Sequence, residues 1–277
     1  MAWYTNLAMA ITQRLGWLRG SIFKHMLPSK WAYRTQTTPT MSHGKPLLPA
    51  PLDRFSIHGP NGTHFCLVTN PAGCSLSNAK GGPWGRGLFQ LHIARALAAQ
   101  LAVAVEQIHD KKFIHGDLHL ANVLLHLPSG LDHLSEEQLY NKFGAPEAKA
   151  VIRLDGKPIP PNVPSHAIRP IRLSKPSKDI VLSDAKVLLV DFGAAFRPLE
   201  ESSLHFYTPR EVGPPEARFE PTTGPSFASD IWTLACTIFA ILGRRSLFNG
   251  TISFQYDIRD EMTTQQVDAL GCLPPEW

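Results

Sequence analysis

A chain of 277 residues with 43% hydrophobic and 18% charged content is long enough to bury a sizeable core, in one domain or one and a half. The formal net charge of +4 is unevenly spread: residues 1–52 hold six Lys and Arg and no Asp or Glu, whereas the rest carries 21 basic against 23 acidic residues. That excludes a polyanion-binding body, and no direct nucleic-acid contact is expected. No apolar run approaches the roughly 18 residues that span a bilayer, so no membrane anchorage is expected either.

The leader, residues 1–52, is basic, acid-free and broken by Pro28, Pro39 and Pro46. Acid-poor leaders of this kind resemble organelle transit peptides, and the same composition also suits a flexible tail or an alternative start. The expected location is cytoplasmic or nuclear, with mitochondrial import as the second reading. Cys66, Cys74, Cys236 and Cys272 form no CxxC pair and read as separate reduced thiols of an intracellular protein.

From Phe55 to Val68 two β-like runs flank Pro60-Asn61-Gly62, a strong hairpin signal, and Thr69-Asn70-Pro71 follow as a short connector. The glycine-rich run Lys80–Gly87 lacks the Lys and Ser/Thr of a phosphate loop and reads as a linker. Leu97, Leu101, Ala104, Val105 and Ile108 then recur at helical spacing within a helix predicted from about 88 to 110.

That helix delivers the chain to Phe113–Leu125, FIHGDLHLANVLL, where Asp117 precedes Asn122 by five residues between apolar runs. Asp-x-x-x-x-Asn in this setting is the catalytic-loop spacing of kinase-fold phosphotransferases. The aspartate accepts or orients the proton of an attacking hydroxyl, and the asparagine holds magnesium on the phosphates.

Downstream, residues 127–180 carry eight of the 24 prolines and read as a surface excursion between two strands of one domain. Within it, Ser135 to Gln138 is a capping-box start for a short helix ending at Gly144, and a small hairpin is expected on Asp155-Gly156. Lys186–Gly193 reads as a buried strand running into Asp191-Phe192-Gly193: Asp191 can bind magnesium, Phe192 can pack inward and Gly193 lets the chain turn. Pro214-Pro215-Glu216 follows. The run Ser229–Leu242 reads as a helix capped by Ser229 and Gly243 and buried on every side, with Asp230 placed to accept backbone N–H groups of the catalytic loop.

From Phe55 onward the chain resembles the eukaryotic protein kinases, and among them the serine/arginine-rich-protein-specific (SRPK-like) kinases, which carry a spacer in the core. The resemblance implies an α+β protein-kinase-like fold, mostly the helical lower lobe with a truncated upper lobe of one hairpin and hinge. It implies residues 53–277 as a partial kinase domain: hairpin and hinge 53–71, spacer 127–180, activation segment 191–216. It implies ATP and Mg²⁺ as cofactors, Asp117 and His119 as catalytic residues, and Asn122 and Asp191 as metal ligands. Thr69, Asn70, Pro71 and Leu124 would contact the nucleotide, and His115, Phe192, Gly193, Glu216 and Asp230 would be structural. The implied partner is a protein substrate of the Arg/Ser-rich, splicing type.

The departures are specific. Gly116 stands where many kinases have Arg, and His119 where they place a phosphate-neutralising Lys. The spelling HGDLH is that of aminoglycoside and choline phosphotransferases, which makes a small-molecule phosphotransferase one alternative. Neither a Gly-x-Gly-x-x-Gly nor a Val-Ala-x-Lys precedes the hinge, and the first Glu is Glu106. With the chain stopping at Trp277, these features leave a non-catalytic kinase-fold remnant that binds a partner as the other alternative.

Overall fold

The computed structural model describes residues 41–42, 45–59, 62–82, 87–127, 130–160, 163–169, 175–201, 203–220, 222–249 and 258–277. Most of the leader and the Pro60-Asn61 turn lie outside these residues. Two short strands, β1 (Met41–Ser42) and β2 (Lys45–Pro46), pair with each other. The expected hairpin is β3 (Pro51–Gly59) with β4 (Gly62–Thr69), antiparallel and closed by a two-residue connection between Gly59 and Gly62. Among the described residues it is a sheet of two strands, with Leu52 and Phe65 exposed.

After the Thr69-Asn70-Pro71 connector, β5 (Ala72–Ser75) joins a three-stranded antiparallel sheet with β6 (Val123–His126) and β9 (Val187–Leu189), in the order β5-β6-β9. A one-turn helix α1 (Leu76–Ala79) follows, capped by the Ser75 side chain. The long helix α2 (Leu91–Asp110) buries Ile93, Leu97, Leu101, Ala104, Val105 and Ile108 on one face, as the spacing predicts. The chain turns out of it at Lys112, a non-glycine residue at φ 64°, and the helix packs along α5 (Phe227–Leu242). These elements, with Phe113, Leu118, Ile180, Leu189 and Phe192, enclose the main core.

Several expectations are corrected. The leader is not flexible up to residue 52: Leu47 and Leu48 are buried in the main core, the Leu189 N–H donates to the Leu47 carbonyl at 2.9 Å, and His126 Nε2 lies 2.8 Å from the Pro46 carbonyl. Two adjacent leucines find an apolar seat at the open edge of β9, and their burial outweighs the basic, proline-broken character of the leader as a whole. In the spacer, α3 (Glu136–Phe143) carries the expected Ser135–Gln138 capping box and Gly144 stop. The Asp155-Gly156 turn is present, but no tight hairpin forms on it. The pairing strands are β7 (Ala148–Ala150) and β8 (His166–Ile168), farther out on either side. The Asp155 carboxylate, paired with Arg153, instead accepts the Lys157 N–H at 3.3 Å, a local bond that competes with a ladder bond.

Helix α5 starts earlier than expected. Its N-cap is Ser226, whose hydroxyl accepts the Ser229 N–H at 3.2 Å while the Ser229 hydroxyl accepts the Ser226 N–H at 3.0 Å. Two serines three apart offer equal capping chemistry, and the earlier one wins because Phe227 and Ala228 then extend the helix. Nor is α5 buried all round: Ile231, Ala235, Phe239 and Leu242 form one exposed stripe. The remaining helices are α4 (Glu216–Phe219) and α6 (Ile258–Leu270). Among the described residues, no helix is long and apolar enough to cross a membrane.

Candidate active site

The loop after α2 is fixed before any chemistry is added to it. Ile114 exchanges backbone hydrogen bonds with Phe196 at 2.9 and 3.2 Å, pinning the loop entrance to the chain after Asp191-Phe192-Gly193. His115 is wholly buried: its Nε2 lies 3.1 Å from the Val190 carbonyl, and its Nδ1 accepts the Asp117 N–H at 3.2 Å. That pair of partners sets the Nε2–H tautomer. Burial pushes the imidazole pKa down, against the opposing field of Asp230 and the loop carboxylates, so the ring is a neutral wedge packed at a tilt against Phe192, with centroids 5.0 Å apart.

Asp230 holds the loop from below. Only 1% exposed, it accepts the His115 N–H at 2.7 Å on Oδ2 and the Gly116 N–H at 3.0 Å on Oδ1, with His109 Nε2 2.9 Å from Oδ2. A buried carboxylate is tolerable only when so satisfied. Gly116 sits at φ 75°, and a Cβ there would meet the Ala194 carbonyl oxygen at 2.9 Å. Glycine is therefore a steric requirement at the position where the resembling kinases carry arginine.

Above this base the polar side chains meet. Asn122 Nδ2 donates to the Asp117 carbonyl at 2.8 Å and to Asp117 Oδ2 at 3.2 Å. With its amide hydrogens spent on Asp117, the amide oxygen of Asn122 is the atom left to meet a cation. Asp117 Oδ1 makes no hydrogen bond; His119 Nε2 lies 3.4 Å away, a close contact rather than a bond. His119 Nδ1 accepts the Ala121 N–H at 3.2 Å, which leaves the proton of the neutral ring on Nε2, toward Asp117.

Asp191 reaches the same neighbourhood through the ladder: the Val190 N–H donates to the Asn122 carbonyl at 2.9 Å. It adopts a left-handed φ of 67°, rare outside glycine and a form of local strain, and caps the Phe192–Ala194 turn through Gly193. Phe192 packs inward and is buried. Leu124 lies on β6 opposite Ser75 and Leu188, one strand away from the Thr69-Asn70-Pro71 connector that leads into β5. Glu216 accepts a hydrogen bond from Ser229 Oγ at 2.9 Å.

Asn122 and Asp191, at adjacent strand ends, could supply two oxygen ligands, a donor set that would suit magnesium completed by phosphates and waters. Among the described residues, no group of three or more His, Cys, Asp and Glu could hold a metal alone. A shallow groove of about 480 Å³, lined by Arg245, Phe248, Glu261 and Asp268 among others, includes none of these site residues.

Two residues that support the site carry no motif in the sequence. Lys80, in the run taken for a linker, is buried, and its ammonium donates to the carbonyls of Ala240 and Gly243 at the C-terminal end of α5. Burial pushes its pKa down to about 8. Gln100, on α2, donates to the Ala185 carbonyl at 2.8 Å and accepts the Val187 N–H at 3.1 Å, closing the edge of β9. For Gln100 the only signal was a polar residue on the apolar face of a helix.

No protein-family model matches the chain. It is 39% identical over 75 residues to the probable serine/threonine-protein kinase sky1 of Dictyostelium discoideum, a match covering 27% of this chain and 11% of that protein. It is 27% identical over 246 residues to the serine/threonine-protein kinase SRPK of Physarum polycephalum, covering 80% of this chain and 52% of that protein. The chain thus spans about half the length of the second relative and about a tenth of the first. A crystal structure of a kinase domain aligns at a TM-score of 0.48 and 18% identity, over 81% of this chain and 57% of that one. In sequence the chain is SRPK-like and similar to the serine/threonine protein kinases, and its described residues form a mixed α+β structure.

Proposed function

We propose that this chain works as a serine/threonine protein kinase of SRPK-like type, moving the γ-phosphoryl of ATP to a serine hydroxyl of Arg/Ser-rich proteins. The observation that carries the reading is the joining of Asp117 and Asn122 by two hydrogen bonds on a loop held by buried Asp230. Asp117 takes or orients the proton of the acceptor hydroxyl through its partly exposed side chain. Asn122 and Asp191 would hold Mg²⁺, which supplies charge neutralisation on the phosphates when bound. Thr69 to Pro71 and Leu124 border the adenine side. His119 contributes an N–H dipole beside Asp117, a weaker electrostatic aid than a lysine ammonium. The activation segment expected over 191–216 holds Asp191, Glu200, Glu201, Glu211 and Glu216 against Arg197 and Arg210, a negative balance that suits a basic peptide.

A second reading, binding of a nucleotide or partner without transfer, is favoured by His119 in the lysine position. A thermal-shift series separates nucleotide binding from none. ATP and Mg²⁺ together should raise the melting temperature more than either alone, and Asp191→Asn should remove the excess. Radiolabelled phosphate transfer to an Arg/Ser peptide, lost in Asp117→Ala, then separates catalysis from binding. A tight metal-independent ATP complex would overturn the proposed geometry. Metal-dependent ATP binding without transfer would select the second reading.

A further inference from the structure

The segment that begins at Asp191 ends in α4, a single turn with no side-chain cap. A turn of this length has no stability of its own, so its position is set by what grips it. On one side the grip is Ser229 Oγ on Glu216 Oε1, next to the Asp230 that anchors the catalytic loop. On the other side the grip comes from α6 and the residues after it. Arg218 donates through Nη1 to Thr263 Oγ1 at 2.6 Å and through Nη2 to Asp260 Oδ1 at 2.5 Å, with its guanidinium 5.2 Å above the Phe219 ring. The Phe219 ring stacks on Trp277 with centroids 5.4 Å apart and an interplanar angle of 17°. The Trp277 indole N–H donates to Glu220 Oε1 at 2.9 Å, and the Trp277 backbone N–H donates to the Pro274 carbonyl at 3.0 Å, folding the last residues back onto α4.

We propose that Trp277, assisted by Arg218, is a positioning residue that clamps the end of the activation segment to α6. The clamp keeps Glu216 in register with Ser229. Trp277 carries more of it than Arg218. The Arg218–Asp260 pair is solvent-exposed and screened, whereas the two half-buried rings remove apolar surface from water and shield the indole–Glu220 bond. The clamp rests on the phosphotransfer reading only for its purpose; the contacts stand without it.

Hydrogen–deuterium exchange of the full chain tests it without any catalytic assay. The amides of Ala217, Arg218, Phe219 and Glu220 are all bonded within α4 and its lead-in, and the amides of His115 and Gly116, bonded to Asp230, are the internal control. Trp277→Ala should speed exchange of the four α4 amides by about tenfold or more and leave the two loop amides unchanged. Trp277→Phe, which keeps a ring for the stack, should restore most of the protection. If Trp277→Ala does not fold, Glu220→Ala removes only the indole partner and should give a smaller rise confined to the same amides. Unchanged α4 exchange in these variants overturns the clamp. An equal rise in the loop amides also overturns it, because Trp277 would then be a general support of the fold. Absence of phosphate transfer in the unaltered chain would count against the proposed function alone, since the exchange rates do not depend on it.

Discussion

Asp230 and His115, 115 positions apart in sequence, are joined by a 2.7 Å hydrogen bond from the His115 backbone N–H to a carboxylate that is 1% exposed. The bond puts the first turn of α5 directly beneath the catalytic loop, and the Gly116 N–H doubles it. The loop's shape is therefore a property of two distant segments at once. Asp117, whose carboxylate Oδ1 accepts no hydrogen bond, uses that shape without supporting it.

Replacing Asp230 by Ala should accordingly cost about 1–3 kcal/mol or more of folding stability, because two backbone donors lose their acceptor in a buried place. Asp117→Ala should cost less than about 1 kcal/mol, since only the Asn122 contact to Oδ2 is lost. Urea denaturation of both variants measures the difference. Equal losses would mean that Asp230 is an ordinary helix-capping acid.

Gly116→Ala should destabilise more than Gly156→Ala although both glycines have positive φ, 75° and 70°. The Gly156 site has open space around a Cβ, so only backbone strain is added, about 1 kcal/mol. At Gly116 the same strain is joined by a clash with the Ala194 carbonyl, and about 2 kcal/mol or more is expected. Chemical denaturation of the two variants side by side decides it. Parity would show that the chain at Ala194 yields freely.

Lys80 makes stability depend on pH in a definite sense. Its folded pKa, about 8, is depressed below the ordinary 10.5, so between these values the unfolded chain binds a proton that the folded chain has released. Its contribution therefore rises with pH through that window and is flat above it, while the neutral amine still donates to Ala240 and Gly243. Measured against Lys80→Met, wild type should gain ground as pH climbs from about 8 to about 10.5. A gap that stays constant, or narrows, would refute the buried ammonium.

Leu47→Ala should cost about 2–5 kcal/mol, the range for emptying a packed leucine site. Leu52→Ala, five residues on and exposed, should change stability by less than about 0.5 kcal/mol. Thermal melts of both report where the ordered chain begins. A Leu47 variant as stable as wild type would return residues 45–52 to a loose leader.

What the amino-acid sequence determined by itself was local. The five-residue step from Asp117 to Asn122, the apolar face of α2, the Ser135–Gln138 capping box and the hairpin pairing around Gly62 each depend on residues a few positions apart, whose geometry the backbone dictates. The helix capping at α5 was also local, but the sequence reading put it at Ser229 and the structure puts it at Ser226. The tertiary structure alone decided that Leu47 and Leu48 enter the core, that Lys80 closes the end of α5 and that Gln100 pairs with the edge of β9. In the Lys80 and Gln100 contacts, a common side chain meets a backbone group more than 80 positions away, and at Leu47 a backbone carbonyl meets the N–H of Leu189. A backbone carbonyl or N–H looks the same at every residue, so no motif marks the partner and nothing short of the folded chain brings the two together.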